Sequence, residues 1–202
     1  MTLDAGYFEA LYRGNADPWG FRDRWYEKRK RMLTVAALPR AQYRSAFEAG
    51  CSIGELTALL AQRCQELRAS DIVPEAVDAA RARLGAFPHV KVDRRRLPDE
   101  WPPERFELVV ISELGYYLQP GALHQLFQRA RGSLEEDGTV LLCHWRPAVR
   151  DYPLNGEEVH DSFTRFAVQA GLHRVVGHSE EDFLLDVWSL DPRSVATSEG
   201  MR

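Results

Sequence analysis

The chain has little of what would mark it for export, membrane insertion or metal binding. Its 202 residues hold only three cysteines, Cys51, Cys64 and Cys143, an odd number without metal-ligand spacing. Reduced thiols are therefore expected, with no disulfide framework and no metal site. No stretch approaches the roughly 18 to 20 apolar residues of a membrane-spanning helix. The opening Met1-Thr2-Leu3-Asp4 also lacks the basic-then-apolar pattern of a secretion signal, so a cytoplasmic protein with no membrane partner is expected. Charge of one sign is missing too: 26 basic against 30 acidic residues give a net charge of -4. A nucleic-acid partner is disfavoured, although Lys28–Arg31 and Arg94–Arg96 are locally basic. Repeats and low-complexity tracts are absent, and the 45% hydrophobic and 28% charged content is that of an ordinary globular chain.

What is present is an alternation of short β-type runs and helical patterns from Arg44 onward, the mark of βαβ units around a mainly parallel sheet. Arg44–Glu48, Leu67–Asp71, Val90–Val92, Phe106–Ser112 and Val140–Trp145 read as five strands. Phe106–Ser112 is the most continuous apolar run, as a central strand covered on both faces requires. Gly121–Leu134 has helical spacing, with Asp137-Gly138 as the turn that follows it. Helical Val159–Ala170 leads to Leu172–Val176 and Phe183–Trp188, which read as an antiparallel hairpin at the sheet edge. The predicted fold class is α/β, mainly parallel with a terminal antiparallel hairpin. Before it, helical Tyr7–Tyr12 and Arg24–Leu38 form an N-terminal cap over residues 1–43. The sheet domain spans 44–190, and 191–202, poor in large apolar groups, reads as a flexible tail.

The loop after the first strand, Glu48-Ala49-Gly50-Cys51-Ser52-Ile53-Gly54-Glu55, lies where glycine lets backbone approach a ligand. A dinucleotide fingerprint needs glycines at 50, 52 and 55, and only Gly50 fits, so a nicotinamide-dependent oxidoreductase is disfavoured. Glu55 at the helix start opposes a phosphate there. Asp71 ends the second strand, where a carboxylate can accept both hydroxyls of a ribose, worth about 1.5 to 3 kcal/mol. It could equally be a turn residue or helix cap before Pro74.

The loop resembles the acid-x-Gly-x-Gly-x-Gly loop of class I S-adenosylmethionine-dependent methyltransferases at Glu48, Gly50 and Gly54, with Ser52 in place of the middle glycine. From Tyr7 to Trp188 the chain further resembles the nodulation protein S family of N-methyltransferases. The stretches that carry the likeness are Asp17-Pro18-Trp19-Gly20-Phe21, Tyr26-Glu27-Lys28-Arg29-Lys30, Glu48–Thr57, Ala80–Leu84, Ser112–Leu118 and His144-Trp145-Arg146. The resemblance implies a Rossmann-like seven-stranded sheet, S-adenosyl-L-methionine as cofactor, an amino-sugar acceptor of chitooligosaccharide type and N-terminal helices that close over the cofactor. It implies cofactor contacts from Glu48, Gly50, Ser52, Gly54, Asp71, the adjoining Ile72, Ser112 and, on the cap, Trp19. Beside the adenine the family places an acid or polar group, and here Asp93 is the candidate, followed by Arg94-Arg95-Arg96.

Strand C-termini face the ligand in such sheets, which selects Ser112-Glu113 and His144-Trp145-Arg146. Glu113 is the candidate for binding or deprotonating an acceptor amine, and His144, titratable near neutrality, for a proton relay. Tyr116 and Tyr117 are candidates for stacking on an acceptor, although one of the pair is expected in the core, and His160 opens a helix near the acceptor entrance. The run Glu27–Arg31 reads as a solvated helix face. The expected partner is a small amine-bearing molecule, bound by a monomer or weak homodimer. The alternative is a protein that binds S-adenosylmethionine but has altered or lost catalysis, acting as a regulator or partner.

Overall fold

A computed structural model describes residues 2–202. The chain order is α1 (Ala5–Tyr12), α2 (Trp25–Ala36), β1 (Tyr43–Ala49), α3 (Glu55–Leu60), β2 (Cys64–Asp71), α4 (Pro74–Leu84), β3 (Val90–Arg94), β4 (Phe106–Ser112), α5 (Pro120–Gly132), β5 (Leu134–Trp145), α6 (Gly156–Gln169), β6 (His173–Ser179), β7 (Phe183–Ser189) and α7 (Val195–Ser198). The strands form one sheet in the order β3-β2-β1-β4-β5-β7-β6. β1 to β5 pair in parallel, and β7 pairs antiparallel with both β5 and β6. This is the seven-stranded, mainly parallel α/β sheet with a terminal hairpin that the alternation predicts. β4 is the central strand, and Phe106 to Ile111 are all buried, which explains the apolar run Leu108 to Ile111.

Side chains of β1, β4 and β5 alternate between two cores on opposite faces of the sheet. Phe47, Val109, Ile111, Val140 and Leu142 meet α5 and α6. Ala46, Leu108, Val110, Leu141 and Cys143 meet α2 and α3. The order of the strands reverses at β1 and β4, and their C-terminal ends open a crevice there.

Several local readings change. Asp137-Gly138 is not a turn before β5 but lies inside it. Pairing jumps from Phe106↔Leu134 to Leu108↔Thr139, so Glu135–Gly138 bulge out of the ladder. The tail holds one helical turn, α7, capped by Ser194. The largest change concerns α2. Its charged run is a solvated face only in part: Lys28 is exposed, but Glu27, Lys30, Arg31 and Thr34 are buried, whereas Trp25 and Met32 are 66% and 49% exposed.

Candidate active site

The loop between β1 and α3 takes left-handed backbone at Gly50 (φ +80°), Ser52 (+48°) and Gly54 (+78°). A Cβ at Gly54 would lie 3.2 Å from the Ala80 Cα, so glycine there lets the loop pack on α4 as well as turn. Ser52 is strained relative to glycine, but its hydroxyl lies 2.6 Å from that of Tyr12 on α1, and its N–H donates to Asp71 Oδ2 at 2.8 Å. The loop is thereby tied to both the cap and the end of β2. Asp71 Oδ1 accepts from the Val73 N–H at 3.0 Å. Burial raises the Asp71 pKa, with these backbone amides opposing the rise.

Over the strand ends lies a cavity of about 370 Å³. Gly50, Ser52, Asp71 and Ile72 line one side, Trp19 and Phe21 from the cap another. Trp19 stacks on Phe21 at 5.6 Å and meets Tyr12 edge-on at 5.7 Å. The far wall is Leu97, Pro98 and Asp99 after β3, with Leu118, Ala122 and Gln125 at the start of α5. A smaller cavity of about 50 Å³ adjoins it beneath α2, and Phe21, Gly50, Ser52 and Glu113 line both.

The smaller cavity holds four acids, Glu27, Glu48, Glu55 and Glu113, against two cations, Lys30 and Arg31. Glu48 is buried in β1, its Oε2 has no partner, and burial pushes its carboxyl up to about 8. Buried Ser70 Oγ, at the edge of the larger cavity, is also unpartnered. Glu55 takes Arg83 at 2.5 Å and Arg31 at 3.4 Å. Lys30 Nζ lies 2.9 Å from Glu113 Oε1 and 3.1 Å from Glu27. Burial works against the Lys30 charge, but the Glu113 and Glu27 carboxylates outweigh it and raise its pKa. Glu113 Oε2 accepts from the Tyr116 hydroxyl and from the Trp145 N–H, the latter at 3.2 Å.

The structure thus brings together Trp19, Glu48, Gly50, Ser52, Asp71, Ile72, Ser112, Glu113 and Tyr117 around the two cavities. Gly54 shapes the loop from behind. Asp93 is elsewhere: it pairs with Arg68 and Arg95 at 3.4 Å, and Leu97–Asp99, four to six positions further on, reach the cavity with Arg95 and Arg96 instead. Tyr116 is buried behind the wall, and only its hydroxyl reaches Glu113. His144 and His160 line neither cavity; both are buried beneath it, 3.1 Å apart. Burial first, then His160 and Lys30, depress the His144 pKa well below the usual imidazole range. Sequence reasoning missed Lys30 and Arg31, although Glu27, Lys30, Arg31 and Thr34 recur at helical spacing and so share one polar stripe. Among the described residues no group of ligating side chains suits a metal, and no helix is long and apolar enough to cross a membrane.

The donor set suits a ligand with a ribose and a positive charge. Each Asp71 oxygen keeps a lone pair after its backbone bond, and the acid excess beneath α2 includes a carboxyl oxygen of Glu48 with no partner.

Comparison with known proteins agrees with this geometry. A family model described as Nodulation protein S (NodS) matches residues 11–152. Nodulation protein S of Rhizobium tropici is 34% identical over 103 residues, 50% of this chain and 43% of that protein. Its Bradyrhizobium diazoefficiens counterpart is 28% identical over 154 residues, 74% of this chain and 73% of that one. The match thus spans less than half of the first relative's length. A solved structure from Pseudomonas syringae with a provisional methyltransferase assignment is 49% identical, covers 82% of this chain and 99% of its own, and superposes with a TM-score of 0.73. The N-methyltransferase NodS from Bradyrhizobium japonicum WM9, solved with S-adenosyl-L-homocysteine, shares the fold at 24% identity and a TM-score of 0.81, covering 94% of this chain and all of that one. With the family model spanning well over half of its residues, the chain belongs to the NodS family.

Proposed function

We propose that the chain is an S-adenosylmethionine-dependent N-methyltransferase whose acceptor is the amino group of a small molecule, with amino sugars of chitooligosaccharide type the first to test. The observation that carries the reading is the Glu113 carboxylate at the junction of the two cavities, one with the Asp71 and Gly50–Ser52 side of a nucleoside site and the other rich in acids. Asp71 would accept the ribose hydroxyls, Ile72 and Leu97 would flank the adenine, and Glu48 would face the ammonium end. Trp19 and Phe21 would cover it. When bound, the cofactor supplies a methyl group on a sulfonium, open to in-line displacement by a neutral amine.

The protein then has to align and desolvate, and alignment can supply up to about 7 to 11 kcal/mol of such a barrier. Glu113 would hold the acceptor nitrogen, a reading supported by its Oε1, which takes a single donor, Lys30, and retains a lone pair. Tyr117, which packs on Phe8 at 4.8 Å, would bound the acceptor side. A second reading, a binding protein with lost catalysis, is favoured by one observation, the Lys30 ammonium already seated on Glu113.

Calorimetric titration with S-adenosylhomocysteine tests the cofactor, and no heat at high micromolar ligand would remove it. Methylation of a free amino sugar but not of its N-acetylated form supports the amine acceptor. Glu113→Gln should lower turnover by about ten- to a hundredfold while cofactor affinity stays within about twofold. Binding without methylation of any amine would select the second reading.

A further inference from the structure

Glu113 has a left-handed backbone conformation, φ +54°, which a residue with a Cβ adopts only under strain. Such a conformation persists only where surrounding bonds dictate it. One is the Glu113 N–H on the Cys143 carbonyl at 2.9 Å. The other comes from below. We propose that His144 is the positioning residue of the active site: its imidazole pins the turn that presents the Glu113 carboxylate, and His160 and Asp186 fix the tautomer in which it can do so.

The direction of each hydrogen bond is determined by its ends. The Gly115 N–H can only donate, and it points at His144 Nε2 at 3.0 Å. That nitrogen must therefore carry the lone pair, which leaves the His144 proton on Nδ1, 3.1 Å from His160 Nε2. His160 Nε2 then accepts and its Nδ1 donates to Asp186 Oδ2 at 2.6 Å. The ionised Asp186 carboxylate can only accept, and its Oδ1 takes the Arg174 Nε–H at 2.8 Å. The chain thus runs from Arg174 on the edge strand β6, through β7, α6 and β5, to the turn after β4. With the opposite His144 tautomer, two N–H groups would face each other at Gly115.

Space enforces the same arrangement. A Cβ at Gly115 would lie 2.6 Å from Val159 Cγ1 and 3.0 Å from His144 Nε2, so only glycine brings this N–H onto the ring. His144, His160 and Asp186 are all buried and line neither cavity. Their influence on the reaction passes through the turn, which also carries Tyr116, the hydroxyl donor to Glu113.

The inference rests on Glu113 serving the acceptor, as proposed above, but its test has readings that need no activity. On the cofactor-free chain, imidazole nitrogen NMR shifts should report Nδ1–H for both His144 and His160, and an Nε2–H His144 would overturn the inference. In H144F, which keeps the volume and removes the acceptor, Gly115 amide exchange should accelerate by about tenfold or more relative to Val109 and Val110. Turnover should fall by about tenfold, with S-adenosylhomocysteine affinity within about twofold, and H144Q, whose carbonyl can again accept from Gly115, should recover part of both. Unchanged Gly115 exchange in H144F, or cofactor affinity falling as much as turnover, would overturn it. If H144F does not fold, D186N tests the tautomer relay: a mixture of His144 tautomers supports it, and an unchanged single tautomer with unchanged turnover counts against it. If the natural chain methylates no amine, the reading of Glu113 fails by itself, while exchange and nitrogen shifts still decide whether His144 pins the turn.

Discussion

Glu48 shows how one residue can be held in a poor state for the sake of a site. It is buried in β1 with an unpartnered oxygen, and burial lifts its carboxyl from the ordinary 4.5 to about 8. Between those pH values the folded chain keeps a proton that the unfolded chain releases, so native stability falls as pH rises from about 4.5 to 8. The loss is on the order of 5 kcal/mol across the window. Glu48→Gln should therefore raise the melting temperature of the cofactor-free protein at pH 8 and leave it nearly unchanged at pH 4.5. Equal shifts at both pH values would contradict a protonated Glu48. Ser52 is a second such residue: where a glycine would relax the backbone, its hydroxyl ties the loop to Tyr12 on the cap.

At the scale of the element, α2 inverts the usual amphipathic arrangement, with its charged stripe inward and Trp25 and Met32 outward. Three successive residues reach three different walls. Arg29 forms a two-pronged bond to Glu180 between β6 and β7, both distances 2.7 Å. Lys30 reaches Glu113 after β4, and Arg31 reaches Glu55 on α3 and the Phe21 carbonyl. Lys30→Met would leave the Glu27 and Glu113 carboxylates facing each other without their cation, and we expect a loss of about 3 to 5 kcal/mol in urea denaturation. Adding Glu27→Gln and Glu113→Gln to the same chain should restore most of it. A loss in the single variant below about 1 kcal/mol would mean that the cluster is solvated. The 27, 30, 31, 34 spacing was visible in the sequence, but hydrophobic periodicity alone assigns such a stripe to solvent. Only the acids that converge on it from β1, β4 and α3 make it an inner face.

For the whole molecule, the buried His144 gives stability a definite acid limb. Its folded pKa lies well below 6.5, so below that pH the unfolded chain takes up a proton that the folded chain refuses. Stability should fall by about 1.4 kcal/mol per pH unit below 6.5 for this group, until the pH reaches its folded value. Comparing the pH dependence of urea unfolding for the natural chain and H144F isolates the contribution, and coincident profiles would show that His144 takes up its proton as readily in the fold as in the unfolded chain.

The sequence by itself determined the strands, their mainly parallel pairing, the glycine loop and the Asp71 carboxylate, because these are local matters of period, turn chemistry and strand-end position. Val109, Val110 and Ile111, three β-branched residues in a short apolar run, read as a covered strand. Only the tertiary structure decided that His144 and His160 lie beneath the site and not in it, that Asp93 yields its place to Leu97–Asp99, and that Lys30 sits on Glu113. Those outcomes depend on which side chains from α2, β4, β5 and α6 converge when the sheet twists and its order reverses at β1 and β4. Spacing along one segment carries no information about charges that approach from another.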